Sequence, residues 1–252
     1  MLLAIDIGNT TIYFGLLQND EVIKTFRMST RKDILSDEYA IKIKEVLEIN
    51  IELSKIDSVI IASVVPEITV EVEKAMNKIL NLDVVVLKRD IKNCFDFDED
   101  RFNEIGADLI ADSIGAISKY GKPILVFDMG TATTCSVINK DGNFTGCIIC
   151  PGIKTSMNAL IGNASQLSNF NLGNPNKVVG NTTNDCINSG VIYGHSEMIN
   201  GLRKKVEEET GEKYRVVLTG GNSDYVFQYV DKDIIQDKDL IFYGLNELYK
   251  RR

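Results

Sequence analysis

The order of apolar and polar positions divides the chain into short strands and longer amphipathic helices. Apolar runs of strand length, bounded by glycine, asparagine or aspartate, predict strands in both halves of the chain. The predicted strands are 1–7, 11–17, 21–27, 57–64 and 84–87, followed by 123–128, 133–139, 143–150 and 215–219. Apolar residues at helical spacing predict helices at 36–48, 70–80, 107–118, 152–162 and 183–209, with two more before the C-terminus. The pattern is typical of an α/β protein.

This pattern of strands and helices occurs twice. Each half opens with three strands joined by short turns and continues with alternating helices and strands. The two openings also align residue by residue, since Ala4–Thr11 (AIDIGNTT) matches Val126–Thr133 (VFDMGTAT). An internal duplication of one α/β unit is the simplest interpretation. We therefore expect two domains, residues 1–118 and residues 119–252.

Composition and charge narrow the classes of partner. The 252 residues are 44% hydrophobic and 25% charged, which is enough apolar material for a core in each half. The formal net charge of −8 lacks the basic footprint of nucleic-acid binding, so we expect no nucleic acid as a primary partner. No apolar run reaches the ~18 residues of a membrane helix, and Asp6 interrupts the first run too early for a signal peptide. We therefore expect a cytoplasmic protein that does not bind membranes.

Five cysteines and one histidine limit the possible metal and nucleophile sites. Cys147 and Cys150 form a single C-x-x-C, and a zinc ribbon would need a second pair. A redox pair at these positions stays open, although Ile148 and Ile149 between them indicate a buried strand. His195 is the one residue available to a Ser-His-Asp triad, and its place in a predicted helix favours a structural role.

A strand followed by a glycine turn opens each half and is a candidate phosphate site. In the first half, Asp6 ends the strand and Gly8, Asn9 and Thr10 form the turn. A glycine lets backbone N–H groups approach an anion, and short polar side chains add further donors. A carboxylate does not bind phosphate directly, but Asp6 could hold a Mg2+ ion that bridges to it. The alternative is an ordinary β-turn with aspartate and glycine as turn residues.

The second half repeats this design at Asp128–Thr134 (DMGTATT). Two such turns in a duplicated fold would face each other across a cleft and hold a triphosphate from both sides. The pair is typical of the actin-like superfamily of ATPases and small-molecule kinases, and it is more specific than either turn alone. A third glycine turn, Thr219–Gly221 (TGG), follows a strand and is either a surface for an adenine or ribose or a plain turn.

A candidate general base lies at the start of a predicted helix. Residues 104–108 (EIGAD) place Asp108 in the first helical turn, where a carboxylate could accept the proton of a substrate hydroxyl. Asp112 lies one turn further on the same face, and two neighbouring carboxylates raise one pKa. The alternative is an acid placed favourably at a helix N-terminus.

A series of ordered motifs resembles those of the type III pantothenate kinases and extends through most of the chain. They are Asp6–Thr10 (DIGNT), Arg27–Thr30 (RMST) with Asp37–Tyr39 (DEY), Ser63–Pro66 (SVVP), Gly106–Asp108 (GAD), Asp128–Thr134 (DMGTATT), Gly146–Gly152 (GCIICPG), Gly180–Thr183 (GNTT) with Ser189–Gly190, and Thr219–Gly221 (TGG). The resemblance implies a duplicated actin-like (ribonuclease H-like) fold, with mixed five-stranded sheets flanked by helices and a cleft between the halves. It also implies ATP-dependent phosphorylation of pantothenate to 4′-phosphopantothenate, the first step of coenzyme A biosynthesis.

The same resemblance implies roles for individual residues and a homodimeric assembly. Asp108 would be the catalytic base, Asp128 would bind a monovalent cation (K+ or NH4+), and Asp6 would hold the Mg2+ of Mg-ATP, directly or through water. The residues implied in binding the ATP phosphates are Asp6, Ile7, Gly8, Asn9, Thr10, Thr11, Ile12, Tyr13, Gly130 and Thr131. The residues implied in the pantothenate pocket are Gly106, Ala107, Asp108, Leu109 and Thr183.

The chain departs from the family motifs on the pantothenate side. Leu109 stands where the family has an arginine, and leucine cannot replace the arginine donors. Arg101 and Lys154 are the candidate cations that could supply the missing charge. Cys147 stands where the family has a glycine.

A further departure concerns an aromatic position. No tyrosine is in register before Gly106, although Phe95 and Phe97 lie close in sequence. With Leu109, these departures leave two alternatives open. One is a regulatory paralogue without turnover on the same fold, and the other is a kinase for a different small alcohol.

Overall fold

The computed structural model describes residues 1–91, 104–162 and 172–252, which form two compact units. The first unit is Met1–Lys119 together with Asp239–Arg252, and the second is Tyr120–Lys238. Three residues discussed above lie outside the described ranges: Phe95, Phe97 and Arg101.

The helices that the structure describes are distributed over both units. They are α1 (Ser36–Asn50), α2 (Pro66–Leu80), α3 (Ala107–Tyr120), α4 (Ile153–Gly162), α5 (Thr183–Thr210) and α6 (Leu240–Lys250). None of these described helices is long and apolar enough to cross a membrane.

The first unit is built on a mixed five-stranded sheet. Its strands are β1 (Leu2–Ile7), β2 (Thr11–Gln18), β3 (Glu21–Ser29), β4 (Ser58–Ser63) and β5 (Val84–Val86). The strand order is β3-β2-β1-β4-β5, with antiparallel pairing from β1 to β3 and parallel pairing of β1 with β4 and of β4 with β5. β1 is apolar and almost wholly buried because helices cover both faces of the sheet.

Two apolar clusters fill the first unit, one on each face of its sheet. On one face, Leu3 and Ile5 of β1 pack with buried residues of α1 and α2 such as Tyr39 and Val72. On the other face, Ala4 belongs to a cluster formed with the apolar residues of α3 and α6. Because successive side chains of a strand point to opposite faces of the sheet, neighbouring residues of β1 pack against different layers of helices.

The C-terminal helix belongs to the first unit, whereas the predicted division placed residues 119–252 together. The apolar face of α6, including Phe242 and Leu245, packs with β1, β4 and α3 in the second cluster. The sequence did not reveal that the chain returns to the first unit at its C-terminus, because the apolar spacing of a helix does not specify which sheet the helix covers. Of the two predicted C-terminal helices, only α6 forms, and single 3-10 turns at Ser223–Tyr225 and Phe227–Tyr229 precede it.

The second unit repeats the topology of the first. Its strands are β6 (Ile124–Met129), β7 (Ala132–Ile138), β8 (Phe144–Pro151), β9 (Arg215–Thr219) and β10 (Ile235–Gln236), in the order β10-β9-β6-β7-β8. β6 is antiparallel to β7 and parallel to β9, as β1 is to β2 and β4. The predicted pair of mixed five-stranded sheets flanked by helices is confirmed.

One strand prediction was wrong in its burial. β8 lies at the edge of the second sheet, and after the buried Phe144 its residues alternate between exposed and partly buried. Ile149, expected in a buried strand, is 66% exposed, whereas Ile148 packs against the core. An edge strand covered on one face needs an apolar residue only at every second position.

Candidate active site

The turn between β1 and β2 is fixed by main-chain hydrogen bonds. The N–H of Gly8 donates to the carbonyl of Thr11 at 3.0 Å, and the Thr30 hydroxyl donates to the carbonyl of Gly8 at 2.7 Å. Asn9 and Thr10 are exposed at the tip, whereas Asp6 is partly buried at the end of β1. The turn thus presents polar groups to solvent on a backbone held from both sides.

The corresponding turn between β6 and β7 is also closed by a main-chain bond from its glycine, but the acceptor lies two residues ahead instead of three. The N–H of Gly130 donates to the carbonyl of Ala132 at 2.9 Å. The Thr155 hydroxyl and the N–H of Gly152 both donate to the carbonyl of Thr131, at 2.6 and 3.1 Å. Residues from the start of α4 therefore fix the second turn, as Thr30 fixes the first.

Asp128 lies one residue before the end of β6, paired with Thr134 of β7 and Thr219 of β9. The hydroxyls of Thr133 and Thr134 are buried and have no hydrogen-bond partner within the described part of the chain. A buried hydroxyl without a partner is unfavourable, which makes the Thr134 oxygen beside Asp128 a candidate ligand position.

The glycine pair after β9 turns towards Asp128. Gly220 has a left-handed backbone (φ +84°), and a Cβ there would overlap with the Asp128 carboxylate. The side-chain amide of Asn222 donates to the carbonyl of Gly130 at 2.9 Å, which ties this turn to the β6–β7 turn. A glycine is therefore required at position 220 by both space and conformation.

Asp108 lies in the first turn of α3 and is partly buried. Its carboxylate accepts the N–H of Leu109 at 2.8 Å, and a Cβ on Gly106 would overlap with the same oxygen. Burial raises the pKa of Asp108, while the Leu109 N–H and the nearby Lys88 ammonium act in the opposite direction. Gly106 thus leaves space for a carboxylate whose charged form is partly desolvated.

The β1–β2 turn and Asp108 lie at one edge of the first sheet. β1, β4 and β5 are parallel, so their carboxyl ends meet at this edge. The N–H of Val64, after β4, donates to the carbonyl of Ile7 at 3.2 Å, and Val64 Cγ1 lies 3.6 Å from where a Cβ of Gly106 would be. Val64 therefore lies between the β1–β2 turn and the turn at Gly106 that precedes Asp108.

Leu109 and Lys154, one of the candidates for its missing charge, belong to different units. Leu109 is 8% exposed and lies among the buried residues of α3. Lys154 belongs to the second unit, where its ammonium lies 5.8 Å from the centre of the Tyr225 ring. Thr183, predicted in the pantothenate pocket, is exposed at the start of α5, next to the capping residue Thr182.

The structure adds Lys88 and Asn222 to the candidate site residues that the sequence predicted. The ammonium of Lys88 donates to the carbonyl of Ile105 at 2.8 Å, immediately before the Asp108 turn. Asn222 follows the TGG motif but is not part of it. No spacing signal in the sequence connects Lys88 to residue 108, so only the folded chain reveals this contact.

His195 has a structural environment, and Cys147 and Cys150 lie along one edge strand. His195 is buried, with Nδ1 2.7 Å from the carbonyl of Val191, as expected for a structural residue. Cys147 and Cys150 are three residues apart in β8, which separates their Cα atoms by about 10 Å at the rise of a strand. A disulfide spans at most about 7 Å between Cα atoms, so this geometry does not support a redox pair.

Two units of this topology, each with a glycine turn after its first strand, define the actin-like fold. The chain is similar over 99% of its length to a putative Baf family transcriptional activator from Campylobacter jejuni (TM-score 0.60, 21% identity, 98% of that chain). It is also similar to the activator of 2-hydroxyisocaproyl-CoA dehydratase from Clostridium difficile (TM-score 0.56, 11% identity, 99% and 96% coverage). A putative sugar kinase from Cytophaga hutchinsonii has a TM-score of 0.51 at 12% identity, with 99% of both chains covered. At these identities, the likenesses establish the fold alone.

Sequence comparison identifies the family within this class. Residues 2–205 match the family model of the type III pantothenate kinases. The type III pantothenate kinase of Acholeplasma laidlawii is 38% identical over 100% of this chain and 99% of its own length. That of Agathobacter rectalis is 34% identical over 100% and 98%. The chain belongs to the type III pantothenate kinase family.

Proposed function

We propose that this protein transfers the γ-phosphoryl group of ATP to a hydroxyl of pantothenate, giving 4′-phosphopantothenate and ADP. This reaction is the first step of coenzyme A biosynthesis. The observation that carries the proposal is the family match over residues 2–205, since this segment includes every candidate site residue from Asp6 to Thr183. The match therefore covers the donor and the acceptor sides of the reaction together.

The two glycine turns are the proposed phosphate sites. In the first, residues Asp6–Tyr13 offer exposed polar side chains and backbone donors on a turn that Thr30 holds in place. In the second, Gly130 and Thr131 occupy the equivalent positions. A fixed turn binds a phosphate with little further loss of conformational entropy, because its backbone is already ordered.

Two cations complete the proposed site. As Mg-ATP, Mg2+ would offset the charge of the phosphates, and Asp6 is the residue proposed to hold it, directly or through water. Asp128 is proposed to hold K+ or NH4+. The buried Thr134 hydroxyl beside Asp128 supports this assignment, because hydroxyl and carboxylate oxygens are suitable donors for a hard cation. Within the described residues, no cluster of three or more histidine, cysteine or acidic side chains could hold a metal ion.

Asp108 is the proposed catalytic base. As the pantothenate hydroxyl attacks the γ-phosphorus, its proton passes to the Asp108 carboxylate, the bond from phosphorus to the bridging oxygen breaks, and ADP leaves. Partial burial raises the pKa of Asp108, which strengthens it as a base relative to a solvated carboxylate. Gly106, Ala107, Leu109 and Thr183 are proposed to line the pocket for pantothenate.

The proposal extends to assembly and location. We propose a homodimer that acts in the cytoplasm, where ATP is available, without nucleic acid or membranes as partners. Sedimentation of the purified protein at several concentrations tests the assembly. A particle of one chain mass, 28.1 kDa, at all concentrations would contradict the dimer.

Leu109 keeps a second candidate open, a regulator on the same fold that binds nucleotide without turnover. The absence of the arginine donors at this position weakens recognition of an anionic acceptor. The same change is compatible with a kinase for another small alcohol.

A coupled assay of ADP release separates these functions. The protein is given Mg-ATP with or without pantothenate, and either K+ or Na+ as the monovalent ion. We expect release that depends on both pantothenate and K+. ADP release with other alcohols but not with pantothenate would mean that the substrate is another small alcohol. No release from folded protein that binds ATP would favour the regulator.

A further inference from the structure

We propose that Lys88 is a positioning residue for phosphoryl transfer, whose ammonium group anchors the turn that carries Asp108 and holds this carboxylate in its charged form. The inference rests on the proposed function, since it takes Asp108 as the base. It adds a cation that the sequence motifs do not contain and that lies in the same unit as Asp108.

The backbone around Lys88 is rigidly held. After β5, the N–H of Lys88 donates to the carbonyl of Ile91 at 3.2 Å, and the N–H of Asp90 donates to the carbonyl of Val86 at 2.9 Å. The Asp90 carboxylate accepts the N–H of Val86 in return, at 2.7 Å. Leu87 and Ile91 are buried on either side. The lysine side chain therefore leaves a turn of fixed conformation.

The conformation of Lys88 is unusual for its residue type. Its φ of +73° lies in the left-handed region, which favours glycine and, less strongly, asparagine. A side chain kept in such a conformation indicates a role that glycine could not supply. For Lys88, this role is the contact made by its ammonium group.

The ammonium connects the β5 turn to the Asp108 turn. It donates to the carbonyl of Ile105 at 2.8 Å, and Ile105 immediately precedes Gly106. The same ammonium also interacts electrostatically with the Asp108 carboxylate, three residues after Ile105. Burial lowers the pKa of Lys88, and the Asp108 charge opposes this shift. The two side chains therefore stabilise each other's charged forms.

The charges around Asp108 define what Lys88 contributes. Among the described residues, Lys88 is the charged side chain that lowers the Asp108 pKa, and the Leu109 N–H acts in the same direction. Asp112 is buried one turn further along α3, and Glu104 is exposed before the helix. Without the Lys88 charge, less counteracts the effect of burial on the Asp108 pKa. This pKa therefore rises further, and a smaller fraction of Asp108 is ionised at a given pH.

The test compares the pH dependence of kcat/KM for pantothenate in wild type, Lys88→Met and Lys88→Arg. Lys88→Met keeps the side-chain length and loses the charge, so its acid limb should move to higher pH. On this limb, turnover should be about 10-fold below wild type, as expected for the loss of one close opposite charge. Lys88→Arg keeps the charge and should restore most of the activity. Lys74→Met, an exposed lysine of α2, changes the net charge equally and should leave the profile unmoved.

A glycine variant separates charge from folding. Lys88→Gly removes the ammonium and also the unfavourable left-handed side chain, so it should fold at least as stably as wild type. Its acid limb should still move as in Lys88→Met. A normal profile in both variants would overturn the proposal. So would a higher KM for pantothenate at every pH with an unmoved limb, because Lys88 would then bind substrate instead.

Carboxyl NMR makes the inference independent of turnover. In protein with 13C-labelled aspartate, Asp108→Asn identifies the Asp108 signal, and its titration is compared in wild type and Lys88→Met. The Asp108 pKa should be higher in Lys88→Met, and an unchanged pKa would refute the inference. If wild type does not phosphorylate pantothenate, the proposed function fails, and this titration alone decides the role of Lys88.

Discussion

The Asp108 carboxylate is partly buried, and this surrounding should have opposite effects on the proposed activity and on stability. A carboxyl whose pKa is raised by folding favours the unfolded state at any pH above its ordinary pKa of about 3.9. The same shift strengthens the carboxylate as a base. As the proposed base, Asp108 would therefore represent a local loss of stability that serves catalysis.

Replacing Asp108 by asparagine should separate these two effects. Turnover should fall about 10²–10⁴-fold, the usual contribution of a general base. Thermal stability at pH 7 should equal or exceed that of wild type, because a desolvated charge is removed. The stability gain should shrink as pH falls towards 4, where the wild-type carboxyl takes up its proton. Unchanged turnover would rule out Asp108 as the base.

Gly220 provides a residue-scale test of the second turn. Gly220→Ala places a Cβ against the Asp128 carboxylate in a left-handed conformation, so it should destabilise the protein by about 1–3 kcal/mol. Activation by K+ should also weaken, because the Asp128 side chain must move. The matched variant Gly221→Ala meets no atom within 4 Å and should unfold within about 0.5 kcal/mol of wild type. Equal destabilisation by both changes would refute this account.

At the scale of elements, the packing of α6 on α3 depends on two glycines. A Cβ on Gly244 would overlap with the carbonyl oxygen of Ala111, and a Cβ on Gly115 would overlap with that of Leu240. The two helix backbones therefore approach more closely than ordinary side chains allow. This approach brings the apolar face of α6 into the cluster on the first sheet.

Gly244→Ala should therefore force the two helices apart. We expect a loss of about 2–3 kcal/mol in the free energy of unfolding, as for overpacking in a core. Gly194→Ala on α5 is the control, since a Cβ there meets no atom within 4 Å and should stabilise the helix by about 0.5–1 kcal/mol. Urea denaturation measures both. A neutral Gly244→Ala would mean that the helices can separate without loss.

The sequence predicted which segments form helices and strands better than it predicted where those helices and strands pack. Strands β1, β2, β6 and β7 and the turns at Gly8 and Gly130 follow from apolar runs and glycine, which act over a few residues. The place of α6 and the contact of Lys88 with Ile105 depend on residues distant in sequence. Local patterns carry no information about such pairs, so the motifs could propose candidate site residues, whereas the contacts that support them required the fold.

At the scale of the whole molecule, the chain leaves the first unit at Lys119 and returns to it at Asp239. The second unit has its own apolar cluster, formed by residues between Leu125 and Ile234. The first unit depends on α6 for one of its two clusters. The two units should therefore differ in whether they fold when separated from the rest of the chain.

The fragment 120–238 should unfold cooperatively by itself, whereas the fragment 1–119 should not, because the face of its sheet that α6 covers would be exposed. Joining residues 239–252 to Lys119 through a short glycine–serine linker should restore folding. A short linker suffices because the backbones of α3 and α6 meet at Gly115 and Leu240, which lie four residues before Lys119 and one residue after Asp239. The same fusion with Phe242 and Leu245 changed to serine should fail, since it keeps the chain length and loses the apolar face. Cooperative unfolding of fragment 1–119 alone, at the stability of the fusion, would mean that α6 is dispensable for the first unit. Thermal unfolding followed by circular dichroism distinguishes these outcomes, because only a packed core gives a sharp transition.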